Sequence, residues 1–275
     1  AVTLPSALFL TFLRVSLDVR YLPIVVLVFA ACVAMLVAGP GLARLVGVRS
    51  PYAGPLMTGF EAGMLGYAIY GGVFGPDALY RFGIVDLGQV LFVFFVLATV
   101  LTRRATGVMP GVRDTVVAFI RTPVIVAILA GVVGNLVGLG AILDSSTLTS
   151  ALLATLALLG ACTTPLIVVV IGYSTRLGRG ALSRPARTVA IRLTAWVTLA
   201  IAFTVIVVQG LLGLDALFAA AVMTMVILPP PFVIPLYMGS RPEEEAERDY
   251  VADTLALATV VTMVAFPLVA AVFSG

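Results

Sequence analysis

The sequence predicts an all-α polytopic membrane protein with nine visible spans, which would form two inverted five-helix halves if one helix precedes residue 1. Three observations carry that prediction. The 275 residues are 61% hydrophobic and only 11% charged, against about 25% charged residues in ordinary soluble domains. Mean hydropathy is +1.19. Apolar runs of about 20 residues, enough to cross roughly 30 Å of hydrocarbon as a helix, recur from end to end. A transmembrane barrel would instead show shorter, alternating segments.

Taken in order, nine apolar segments are expected near 2–17, 22–43, 52–74, 83–102, 115–139, 148–174, 189–210, 214–238 and 251–273. The breaks between them, such as "LDVRY", "TRRATGVMPGVR" and "GSRPEEEAERDY", are too short to fold alone, so function is expected within the membrane. Every one of the 16 basic residues is Arg. One alternate set of loops holds most of them, including Arg44, Arg49, Arg103, Arg104, Arg113, Arg176, Arg179, Arg184, Arg187, Arg241 and Arg248. Arg121 and Arg192 are read as lying just beyond that set, at helix ends. The opposite loops carry Arg20 and Arg81. Basic excess marks the cytoplasmic side, which places the Arg-rich loops in the cytoplasm and the C-terminus outside. The expected location is a bacterial inner membrane. The acidic run at Glu243, Glu244, Glu245 and Glu247 reads as a solvated loop face.

The composition also narrows function. With no His, the commonest metal ligand and the usual general base are both missing. Cys32 and Cys162 are read as buried free thiols, with no metal or disulfide between them. Intramembrane protease patterns fail, because Leu214 and not Gly precedes Asp215, and no helix clusters Asp residues as a phosphatidyltransferase would. The expectation is therefore no enzyme, no cofactor and no nucleic-acid partner; a channel is a remote alternative.

Two segments are marked as interrupted. The third holds Gly59, Gly63, Gly66, Gly71 and Gly72, and the eighth holds Pro229, Pro230, Pro231 and Pro235. Consecutive prolines remove backbone donors and stop a helix, and glycines weaken one and permit close approach. If one helix precedes residue 1, giving ten in all, the two segments occupy equivalent places in the two halves. Paired interruptions of that kind point to a transporter's substrate site.

Glu61 lies within the first interruption. A charge at membrane depth costs at least about 2.5–3.5 kcal/mol and by default marks function. Two roles fit: Glu61 takes up a proton when an acid anion binds, or it stays ionised and holds a cation, either sodium or a cationic solute. The structural alternative is an acid paired with an Arg or facing a wet vestibule. Around it, Tyr67, Thr224, Thr259 and Thr262 are candidate site residues, with Thr164 beside Pro165. Asn135, the one Asn of the chain, either bonds between helices or faces a solute. Tyr67 reads chiefly as packing, with a hydroxyl able to reach a carboxylate.

The motifs "EAGMLGYA" at 61–68, "RTPVIVAILAGVVG", "TPLIVVVIG" with Pro165 and Gly172, and "ATVVTMVAFP" with Thr259, Thr262 and Pro267 resemble the auxin efflux carrier family. That family comprises the plant PIN-type carriers and their bacterial permease relatives. The opening "VTLPSALF" resembles the family's second helix. The resemblance implies a fold similar to sodium/proton antiporters, with crossed broken helices and elevator-type movement of a small carboxylate, by a homodimer. It implies a scaffold at 1–19 and 115–175 and a transport domain at 20–103 and 185–275, broken near 59–72 and 224–236. The sequence departs from the family at Glu61, where Asn is usual, and at Ala68, where the crossover Pro is usual. In the second broken helix that Pro falls near Thr224 or within Pro229–Pro231. A sodium-coupled symporter of the bile-acid type shares the architecture.

Overall fold

The computed structural model describes residues 2–14, 18–109, 111–144, 147–162, 166, 182–238 and 245–273, and among these every regular element is helical. The helices are α1 (Thr3–Arg14), α2 (Leu22–Leu45), α3 (Ala53–Met57), α4 (Tyr67–Phe74), α5 (Leu79–Phe92), α6 (Ala98–Thr106), α7 (Val112–Ile120), α8 (Pro123–Leu136), α9 (Leu139–Asp144), α10 (Thr147–Ala161), α11 (Ser183–Phe203), α12 (Ala216–Ile227) and α13 (Glu245–Phe273). Three π-helical turns, at Ala62–Gly66, Val93–Leu97 and Thr204–Leu211, extend α4, α5 and α11.

Among the described residues, four stretches are long and apolar enough to span a bilayer: Val19–Leu45, Pro76–Thr106, Ser183–Leu211 and Glu245–Phe273. A fifth is counted if α7 and α8 form one span, although they meet at 70°. The sequence predicts a single run over 115–139. Pro123 is the reason it is not straight: it lacks a donor and pushes Thr122 to extended backbone, at φ −67° and ψ 125°. These long helices carry their apolar side chains outward as well as inward. Val37, Ile206, Val264 and Leu268 are all exposed, as lipid-facing positions must be in an integral membrane protein.

Two groups of helices form, and the interrupted segments pack within the second. α1 packs chiefly on α8 and α10, while α2 packs on α5, α12 on α5, and α11, α12 and α13 on one another. At Gly88 a Cβ would fall 2.4 Å from the Val25 carbonyl oxygen, so only glycine lets α5 approach α2 this closely. The buried core runs through this second group, from Ile24 and Cys32 through Leu56, Tyr70 and Phe82 to Phe218 and Val251. Cys162, expected to be buried, is exposed, whereas Cys32 is buried as expected.

Candidate functional site

The two interrupted segments cross. α3 stops at Met57, and residues 58–61 run without helix until the π turn that opens α4. α12 stops at Ile227, and residues 228–233 run on to a 3-10 turn at Ile234–Tyr237. At the crossing the Glu61 amide donates to the Pro229 carbonyl at 2.9 Å. The Phe232 amide, the first donor after three prolines, donates to the Glu61 carboxylate at 2.8 Å. Gly59 adopts φ +64°, and a Cβ there would lie 2.7 Å from Pro231 Cγ, so the two chains touch where only glycine fits.

The crossing is antiparallel. Nine residues after Glu61, the Tyr70 hydroxyl donates to the carbonyl of Leu217, at the start of α12. Each segment therefore has one short arm and one long arm, and the long arms lie side by side. At 1.5 Å per residue, α3 is about 8 Å long and α12 about 18 Å. Thr58 nonetheless bonds Cys32, about midway along α2, and the Phe60 amide bonds Gln89, about midway along the Pro76–Thr106 span, so the crossing lies near the middle of the bundle.

Broken backbone leaves carbonyls without intrahelical donors, and in a membrane each must be satisfied by protein. Here α11 and α13 supply the donors. The Arg192 guanidinium donates to Leu56 at 3.1 Å, Gly59 at 2.6 Å and Leu228 at 3.4 Å. One turn on, the Trp196 indole donates to Met57 at 2.8 Å. Thr262 Oγ1 of α13 donates to Ile227 at 2.5 Å; in the other direction Thr58, within the break, donates through Oγ1 to the Cys32 carbonyl of α2 at 2.7 Å. Sequence reasoning placed Arg192 at a helix end. It lies well inside α11 and is 1% exposed. The missed signal was spacing: Arg184, Thr188, Arg192 and Trp196 recur every four residues, a polar stripe down one face of an apolar helix.

A second missed residue is Asp86, 2% exposed on α5. Its carboxylate accepts from the Tyr67 hydroxyl at 2.9 Å and the Gln89 amide at 2.8 Å. Gln89 in turn accepts from the Phe60 amide at 3.3 Å. Tyr67, read chiefly as packing, thus anchors a polar chain that ends at the residue before Glu61.

The remaining candidates divide. Gly63 is half-buried, and a Cβ there would meet only Glu61 Oε1, at 4.0 Å, leaving room beside the half-buried carboxylate. Gly66 is closed in by Phe82 and Leu228. Pro229, Pro230 and Pro231 are buried at the crossing, and the Thr224 hydroxyl is buried without a hydrogen-bond partner. Thr259 bonds back to Leu255 on its own helix. Asn135 donates to the Phe12 carbonyl at 3.1 Å, tying α8 to α1. Thr164 lies outside the described residues.

A cavity of about 1030 Å³ opens elsewhere, between α1 and α10 on one side and α4, the turn after it and the start of α5 on the other. Arg14, Tyr67, Tyr80 and Ser150 are among its walls, and Glu61 is not. Tyr67 is the side chain common to the cavity and the Asp86 chain. Among the described residues no three of His, Cys, Asp and Glu gather as a metal site. No protein-family model matches the chain, and no curated protein matches it.

Proposed function

We propose that the protein is a secondary-active transporter of a small organic acid anion, working by elevator-type alternating access and linked to protons through Glu61. The observation that carries this reading is the Glu61 carboxylate at an antiparallel crossing of two broken segments, held by a backbone amide of the other segment. Interrupted, crossed segments are the arrangement in which secondary transporters hold solute and coupling ion. An ionised Glu61 repels a carboxylate, whereas a protonated one donates to it, so anion binding and proton uptake favour each other.

In this proposal the chain follows the plan of the auxin efflux carrier family, with ten helices in inverted repeats. The scaffold is 1–19 and 115–175 and the moving body is 20–103 and 185–275. The cavity between α1, α10 and α4 lies where those two bodies would face each other, which supports a vestibule there. Two copies assemble as a homodimer in a bacterial inner membrane with the Arg-rich loops in the cytoplasm. No catalytic step and no bound cofactor enter this account.

Melting of the purified protein tests it without assuming a direction of transport, because a ligand that binds the folded state raises the melting temperature. Acetate, malate and indole-3-acetate are compared with amines of similar size, at acidic and at neutral pH. A carboxylate that raises the melting temperature, more strongly at acidic pH, is the expected result. Stabilisation by amines alone would contradict it.

A further inference from the structure

We propose that Arg192 is a tethered cation, filling with its guanidinium the site that a sodium ion would otherwise occupy at the crossing. Unwound carbonyls and the C-terminal ends of half-helices are what coordinate coupling cations in transporters with broken helices. Here the corresponding oxygens are those of Leu56 and Gly59 from one interruption and Leu228 from the other, and all three accept from Arg192. Both half-helices, α3 and α12, end where these oxygens converge. The negative end of a helix such as α12 carries roughly half an elementary charge, so a fixed positive charge at that point is electrostatically favoured.

The guanidinium is committed to these oxygens. It is 1% exposed and lies 5.0 Å from the Phe60 ring, which packs edge-on against Trp196 at 4.7 Å. None of the described ion pairs, Asp18–Arg20, Arg81–Asp215 and Arg184–Glu247, involves it. Its Nε has no acceptor. A buried Arg that takes main-chain carbonyls from two broken segments, and no carboxylate, stands in for a coordinated monovalent cation. It differs in one respect: being covalently attached to α11, it cannot be carried across and released. It rests on the transporter reading only for its consequence, that the solute moves without sodium; its own test is independent of any solute.

That test is the melting temperature of the purified protein in sodium chloride against choline chloride at equal ionic strength, for wild type, Arg192→Lys and Arg192→Ala. Wild type is expected to melt at the same temperature in both salts, and Arg192→Lys likewise, since it keeps the charge. Arg192→Ala opens the oxygen cage, and a drop of roughly 5–10 °C in choline is expected, with part of the loss recovered in sodium. Sodium-specific stabilisation of wild type would overturn the proposal, and so would an Arg192→Ala protein that sodium does not rescue. If Arg192→Ala fails to fold, the wild-type and Arg192→Lys pair decides: sodium-specific stabilisation in either overturns it. Sodium dependence of wild type would leave anion transport standing, while a panel of carboxylates without effect would leave the Arg192 result standing.

Discussion

Gly59 shows how narrowly the crossing is specified at the scale of one residue. Its φ of +64° costs an L-residue about 1–2 kcal/mol, and its missing side chain is where Pro231 sits. Gly59→Ala is expected to destabilise the protein by about 2–5 kcal/mol, the left-handed strain plus overpacking. Gly107 adopts φ +76°, and a methyl added there would meet nothing within 4 Å, so Gly107→Ala carries the backbone cost alone. Chemical unfolding of the two variants in the same detergent separates these terms, and equal losses would mean that the contact with Pro231 is absent. Glu61 was legible in the sequence because a carboxylate between glycines in an apolar run stands out. The four-residue spacing of Arg184, Thr188, Arg192 and Trp196 marked Arg192, but its carbonyl partner 136 positions away could not be read, nor could the pairing of Asp86 with Tyr67, 19 positions away.

At the scale of the element, the interruptions survive because neighbouring helices donate to them. Three prolines in a row remove the amides that would bond the carbonyls of residues 225–227, and Thr262 on α13 supplies a replacement at Ile227. Thr262→Val leaves that buried carbonyl short of a donor and is expected to cost about 1–3 kcal/mol. Thr259→Val loses only a bond within its own helix, and less than about 1 kcal/mol is expected. Comparable losses at both positions, read from thermal or denaturant melting, would remove α13 from the support of the crossing. The same logic explains α11. Its stripe continues past Trp196 through buried Ala200 and Thr204, and at its start Arg184 pairs with Glu247 at 2.6 Å and stacks 3.9 Å from the Tyr250 ring. Glu247 was read from sequence as a solvated loop face; instead it also accepts from Ser50 at 2.5 Å and joins three segments. A run of like charges carries no sign of which member will find partners.

Across the whole molecule, helical class and membrane residence follow from composition alone, since 61% apolar residues in runs of helical length leave few other solutions. The positions of the two interruptions were also readable, because Gly and Pro act on the backbone locally. The asymmetry of the crossing was not. A sequence places both breaks inside spans, whereas the structure gives each span a short arm of few residues and a long one. Which carbonyls α11 reaches is set by packing, and nothing local encodes it. The crossing is separate from the large cavity, with the Tyr67–Asp86–Gln89–Phe60 chain running between them.

The central claim, that Glu61 links a proton to the movement of an anion, is tested most directly by flux into proteoliposomes under an imposed pH gradient. The labelled solute is the carboxylate that most raises the melting temperature, with uptake into protein-free vesicles subtracted. For wild type, an acidic exterior is expected to drive uptake severalfold above the rate at equal pH on both sides. Glu61→Gln keeps the hydrogen-bonding shape but cannot gain or lose the proton, and its flux is expected to be the same with and without the gradient. Gradient-driven uptake by Glu61→Gln at the wild-type level would contradict the account.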